Sequence, residues 1–300
     1  MITEETYTLA NGVAIPKLAL GTWLIPDEEA PAAVRSAISA GYRHIDTAQA
    51  YENERGVGEG IRSSGIPREK IFLTTKVAAE NKTYEKAAAS IDESLRKLDC
   101  GPADLIIIHC PQPWAEFRGE KRYFAENKEV WKALEDAYMA GKAKAIGVSN
   151  FLIDDLMNIL DGCRIRPMVH QVLRHIGETP TALLHIGETP TALLEFCRQE
   201  GILVEAYSPI AHGAALKSEE VASMAARYGV TIPQLCIRYT LQLGTVSLPK
   251  STKPEHIRSN AELDFVISPE DMAVLEFLGQ DYGADSRWPV FGSKRRANTY

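Results

Sequence analysis

Short apolar runs recur along the chain. Between them lie longer stretches in which apolar positions return at helical spacing. Residues 17–21, 42–46, 71–76, 104–109, 143–149, 167–171, 203–207 and 245–248 read as strands. Residues 30–40, 53–64, 83–98, 128–140, 153–160, 193–200, 219–228 and 232–243 read as helices. In the helix over 83–98, Ala87, Ile91, Leu95 and Leu98 fall on one stripe. Residues 7–15 carry Asn11-Gly12 between apolar positions, which predicts a hairpin ahead of the first of these strands. A further helix starts near Pro254, and Ser268-Pro269-Glu270-Asp271 caps another before an irregular basic tail.

Strands and helices thus alternate, and most strands are continuous apolar runs, as expected for strands buried on both faces. Eight such strands predict an α/β fold, a (β/α)8 TIM barrel with an N-terminal β-hairpin and an irregular C-terminal tail. The 300 residues, 45% of them hydrophobic, suffice for one barrel domain over 1–300. A net charge of −7 argues against nucleic-acid or acidic-membrane partners. The N-terminus shows no signal-peptide pattern and no apolar stretch is long enough to span a bilayer. Five scattered cysteines suit a reducing, cytoplasmic setting, without zinc-type Cys/His spacing and so with no metal expected. The chain is expected to act as a monomer or weak homodimer.

In such a barrel, chemistry sits at the C-terminal strand ends. The second, third and fourth barrel strands end on Asp46, Lys76 and His109, and Tyr51 follows Asp46 in the next loop. A strand-end lysine or histidine taken alone is usually a solvated or structural residue. Three successive tips sharing one register suggest a site instead. Tyrosine, with a pKa of about 10, is a poor acid at neutral pH. An adjacent Lys76 ammonium should lower it, Asp46 should hold Lys76, and His109 should donate to the oxygen that Tyr51 protonates. That combination suits proton delivery to a carbonyl oxygen.

The stretch 41–54 (Gly-Tyr-Arg-His-Ile-Asp-Thr-Ala-Gln-Ala-Tyr-Glu-Asn-Glu) resembles a signature of the aldo-keto reductases. So do Leu105-Ile106-Ile107-Ile108-His109, Gly147-Val148-Ser149-Asn150-Phe151 and Ser247-Leu248-Pro249-Lys250-Ser251. The resemblance covers nearly the whole chain. It implies a barrel reductase of aldehydes and ketones using a nicotinamide cofactor, usually NADPH. It also implies Tyr51 as general acid, Asp46 and Lys76 as its tuners and His109 as the group that orients the carbonyl.

No strand leads into Gly-x-Gly-x-x-Gly, and Gly56-Val57-Gly58-Glu59-Gly60 lies inside a helix pattern, where it reads as packing. The cofactor needs other contacts. Ser149, Asn150 and Gln171 can hydrogen-bond a carboxamide, and Tyr207 can stack on the nicotinamide ring. Lys250 and Ser251, ahead of the helix near Pro254, suit a phosphate. The resemblance adds Gly21, Thr22, Trp23, Asp46, Ser208, Thr252 and Asn260 to the cofactor contacts. At His256 the family pattern typically has arginine. Histidine is mostly neutral at pH 7 and lacks the guanidinium fork, which predicts a weakened preference for NADPH with NADH also accepted.

Trp23, Tyr51, His109 and Trp114 are expected around the carbonyl substrate, with Trp288 and Phe291 of the tail closing over it. Cys110 stands where an aromatic is common in relatives. Arg295 and Arg296 read as solvated. The chain also repeats itself: the ten residues from His175 recur unchanged from His185, filling 175–194. This reads as a duplication in the segment joining the sixth strand to its helix. Gly187 and Pro190 disfavour one continuous helix through both copies. Two rivals to an enzyme of this kind are a cofactor-binding sensor or structural protein of the same fold, and a metal-dependent barrel hydrolase.

Overall fold

Successive side chains of a strand point to opposite faces, and this parity organises the structure, a computed structural model that describes residues 1–177, 190–276 and 278. A short hairpin pairs β1 (Thr6–Thr8) with β2 (Ala14–Pro16), and Gly12, at φ 86°, makes its turn. Eight parallel strands follow: β3 (Leu20–Gly21), β4 (His44–Asp46), β5 (Phe72–Val77), β6 (Ala103–Ile108), β7 (Ala143–Ser149), β8 (Val169–Leu173), β9 (Leu203–Tyr207) and β10 (Val246–Leu248). They lie side by side in chain order. The first and last are joined where Ala19 N donates to Ser247 O (2.9 Å), Ser247 N to Lys17 O (2.9 Å) and Gly21 N to Pro249 O (3.0 Å), closing the barrel. A Cβ on Gly21 would stand 3.3 Å from Leu248 O, so glycine suits this seam.

The helices between the strands are α1 (Ala30–Ser39), α2 (Glu54–Arg62), α3 (Tyr84–Leu98), α4 (Phe124–Met139), α5 (Ile153–Leu160), α6 (Pro190–Gln199), α7 (Glu219–Arg227) and α8 (Ile232–Gln242). Short α9 (Pro254–Ser259) and α10 (Pro269–Glu276) follow. One parity of strand residues, including Ile45, Leu73, Ile106, Ile108, Ile146, Val148 and Val204, packs outward against these helices. The other parity faces the barrel axis. Near the hairpin that interior is apolar: Leu9 and Ile15 pack with Phe72, Leu105, Val169 and Val246. Nearer the strand tips the same parity carries His44, Asp46, Thr74, Lys76, Gln171 and Glu205, all buried.

The glycines of α2 are packing devices, as the sequence suggests. A Cβ on Gly58 would lie 1.9 Å from Leu98 O, and one on Gly56 2.0 Å from Asp27 O. The helix expected at 128–140 begins earlier, at Phe124, and the one expected at 193–200 begins at Pro190, whose fixed φ suits a first helical position. Of the duplicated segment, His175, Ile176 and Gly177 of the first copy follow β8, with Ile176 fully buried and Gly177 N donating to Leu275 O at 3.3 Å. Pro190 to Leu194 of the second copy open α6. The remainder of the duplication and the tail, with Trp288, Phe291, Arg295 and Arg296, lie outside the described residues. No helix among the described residues is long and apolar enough to cross a membrane.

Candidate active site

Lys76 stands at the centre of the polar layer. It is 1% exposed, and its three N–H groups meet three acceptors: Asp46 Oδ1 at 2.6 Å, Thr47 O at 2.8 Å and Tyr51 Oη at 3.2 Å. An ammonium has no fourth donor, so Lys76 is fully satisfied. Asp46 is fixed by its backbone as well, because Thr22 donates to its carbonyl through both N (3.0 Å) and Oγ1 (2.9 Å).

Tyr51 sits in a tight turn (Gln49–Tyr51) that ends at Glu52 with a left-handed φ of 58°. Two side chains hold that turn, half-buried Gln49, to which the sequence reading gave no role, and buried Asn53, read only as a helix start. Gln49 Oε1 accepts from Ala78 N (3.3 Å), Asn81 Nδ2 (3.3 Å) and Ser90 Oγ (3.0 Å). Asn53 occupies the N-cap position of α2 without capping it. Its Nδ2 donates to Thr22 O (2.8 Å) and Ile25 O (2.9 Å), while Oδ1 accepts from Thr47 Oγ1 (2.7 Å). Asn53 therefore stitches the loop bearing Trp23 to the loop bearing Tyr51.

The pKa expectation for Tyr51 needs correction. Burial, reinforced by the Asp46 carboxylate, holds the phenol well above 10 rather than below it. The Lys76 charge is already matched by Asp46 at 2.6 Å, so little of it is left to favour phenolate. His109 follows β6, its ring edge-on to Tyr51 (centroids 5.5 Å apart) and to Trp114 (5.1 Å). Burial and the Lys76 charge push its pKa well below 6.5, so the imidazole is neutral at pH 7.

A second hydrogen-bonded set lies on the next strands. Asn150 adopts a left-handed φ of 62°, which asparagine tolerates better than most residues. Its Nδ2 donates to His109 O and Ser149 Oγ (both 3.0 Å), and its Oδ1 accepts from Tyr207 Oη at 2.7 Å. Gln171 Nε2 donates to Asp46 Oδ2 and to Glu205 Oε2, both at 2.8 Å. Glu205 is another residue the sequence reading passed over. Its signal was a lone carboxylate in the strand run 203–207, at the same parity as Tyr207.

The loops complete the picture. The Trp23 ring is edge-on to His212 (5.3 Å) in the segment after β9. Ser208, at φ 52°, opens that segment. Lys250, Ser251 and Thr252 follow β10, with Lys250's pKa lowered by the protein around it. His256 is exposed on α9, and Asn260 is buried at its end. Among the described residues no group of three or more His, Cys, Asp or Glu is placed to hold a metal ion.

A model of the Aldo/keto reductase family matches residues 17–279. This chain belongs to that family. It is an NAD(P)H-dependent oxidoreductase of the aldo-keto reductase type, acting on small carbonyl compounds. It is 39% identical to glyoxal reductase of Bacillus subtilis (strain 168), over 93% of this chain and 94% of that one. It is 40% identical to the 9,11-endoperoxide prostaglandin H2 reductase of Trypanosoma cruzi (strain CL Brener), over 91% of each. An aldo-keto reductase of Bombyx mori solved in complex with NADP superposes with a TM-score of 0.78 at 31% identity, over 91% of this chain and 92% of that one. The (β/α)8 architecture read from the strand count is therefore that of the reductase family.

Proposed function

We propose that this reductase converts aldehydes and ketones to alcohols with Tyr51 as general acid, and that small reactive aldehydes such as glyoxal are its first substrates to try. The observation that carries this reading is Lys76 Nζ bridging Asp46 Oδ1 and Tyr51 Oη. Because its pKa is raised, the phenol holds its proton at neutral pH. As that proton moves to the carbonyl oxygen, negative charge grows on Tyr51 Oη, 3.2 Å from the ammonium. Lys76 thus stabilises the charge where it develops. Neutral His109 offers an N–H to the same oxygen, and Trp114 beside it presents an apolar wall. A reduced nicotinamide supplies the hydride to the carbonyl carbon. Tyr51→Phe should lower kcat by about 10²–10⁴-fold while leaving cofactor affinity within about twofold. A variant that keeps turning over a generic aldehyde would remove Tyr51 from the role, and would leave the sensor or structural reading unsupported as well.

The donor and acceptor set fits a nicotinamide carboxamide. Ser149 has a hydroxyl to donate, and Gln171, with its nitrogen committed to two carboxyl groups, has its amide oxygen left to accept. Tyr207, Ser208, Gly21, Thr22 and Trp23 lie on the adjoining tips and loops, and Lys250, Ser251, Thr252, His256 and Asn260 would hold the nucleotide's phosphates and adenosine end. An exposed histidine at 256 gives a 2′-phosphate no fixed positive fork. NADPH and NADH should both serve. The ratio of kcat/KM with the two cofactors decides this, and a preference for NADPH above about a thousandfold, roughly 4 kcal/mol, overturns it.

A further inference from the structure

Glu205 is fully buried in the middle of β9, beside Gln171 of β8 in the strand register. Its Oε2 accepts from Gln171 Nε2 at 2.8 Å, and the same nitrogen donates to Asp46 Oδ2 at 2.8 Å. A side-chain amide nitrogen carries two hydrogens, and both are taken. The opposite orientation would set the amide oxygen against the Asp46 carboxylate and leave two buried N–H groups without these acceptors.

We infer that Glu205 is a positioning residue for the cofactor: with Asp46 it clamps both N–H groups of Gln171, so that Gln171 presents only its amide oxygen to the nicotinamide carboxamide. The inference rests on the reading of Gln171 as a carboxamide contact. Asp46 alone would engage one N–H and leave the other hydrogen free to compete for the ligand's oxygen. The second carboxyl removes that choice.

The charges around Glu205 make it suited to this task. The groups acting on it are Asp46 and His44 from β4, Lys76 from β5 and Gln171 from β8. Lys76 and Asp46 neutralise one another. His44 Nε2 lies 3.8 Å from Glu205 Oε1, but burial pushes that imidazole's pKa down to about 3, so it brings no countercharge. Glu205 therefore keeps its proton at neutral pH, burial and the nearby Asp46 raising its pKa to about 8. A neutral carboxyl accepts from Gln171 through its carbonyl oxygen without adding a buried negative charge.

The test compares the dissociation constants of NADP+ and its 3-acetylpyridine analogue, read by quenching of tryptophan fluorescence. The analogue replaces the carboxamide nitrogen by a methyl group and so has no N–H for Gln171 to accept from. Wild type should bind the analogue about tenfold more weakly, the equivalent of one hydrogen bond. Glu205→Gln keeps an oxygen for Gln171 and should keep that ratio within about twofold. Glu205→Met releases one N–H, letting Gln171 rotate, and should narrow the ratio to below about threefold. An unchanged ratio in Glu205→Met, a wild-type ratio near one, or a collapsed ratio in Glu205→Gln each overturns the inference. If Glu205→Met does not fold, Glu205→Ala, which removes the same acceptor, is read in its place with the same expected narrowing. Failure of wild type to bind NADP+ at all would instead defeat the cofactor reading of Gln171. A general loss of structure would weaken both ligands together, so the Glu205→Met ratio is read with the variant's thermal unfolding shown to match wild type.

Discussion

Lys76 ties three groups of the candidate site together through three hydrogen bonds. Its partners are the Asp46 carboxylate, the Thr47 carbonyl and the Tyr51 phenol, and among the described residues Asp46 is the carboxylate that pairs with it. Removing the ammonium leaves the Asp46 carboxylate buried without its cation. Lys76→Met should therefore destabilise the fold by about 3–5 kcal/mol in urea denaturation, and adding Asp46→Asn should recover part of that loss. A double variant no more stable than the single would show that the pair is not the source. At this scale the sequence was informative where a charged or titratable residue ended a strand, as Asp46, Lys76 and His109 do. It was silent where the role depended on a distant partner. Asn53 does stand at the helix start read from the sequence, but its stitching role was hidden because its three partners lie in loops that only the fold brings together. The Tyr51 pKa was misjudged for a related reason: a formula counting Lys76 as a neighbour omitted how completely Asp46 matches its charge and how deeply the phenol sits.

Among elements, β9 carries a titrating carboxyl through the barrel's interior. Glu205 holds its proton in the folded chain up to about pH 8, whereas an ordinary carboxyl in the unfolded chain releases it near 4.5. The unfolded state then binds fewer protons across that window, so stability falls as pH rises from about 4.5 to about 8. Glu205→Gln removes the proton and should flatten this part of the profile. Thermal or urea unfolding of both forms between pH 5 and pH 8 checks it, with parallel profiles as the contrary outcome. The strands themselves were legible because runs buried on both faces are apolar. Their two faces were not distinguished by hydrophobicity, so the polar parity of β4, β5, β8 and β9 emerged only from the register. Helix starts drifted where no capping signal marked them, as at Phe124, whose preceding Tyr123 makes no side-chain cap.

For the molecule as a whole, the barrel was readable from the count and alternation of elements, since eight parallel strands with intervening helices can close on themselves. The duplication adds ten residues between two ends that the fold holds firmly. Ile176 of the first copy is buried in the core cluster that includes Leu275 and Ile267, and Leu193 of the second in the one that includes Cys197. Deleting residues 178–187 joins Gly177 to Glu188 and restores one uninterrupted copy. The shorter connection should cost about 1–2 kcal/mol less closure entropy, raising Tm by a few degrees. Aldehyde reduction should persist, and a lower Tm would mean that the extra residues make contacts of their own.

The identity of the two copies has a hereditary consequence. Any ten-residue deletion that begins between His175 and His185 yields the same chain, because what is lost from one copy is supplied by the other. Most insertions can be undone only by removing the inserted residues themselves. Here many different in-frame losses converge on one product.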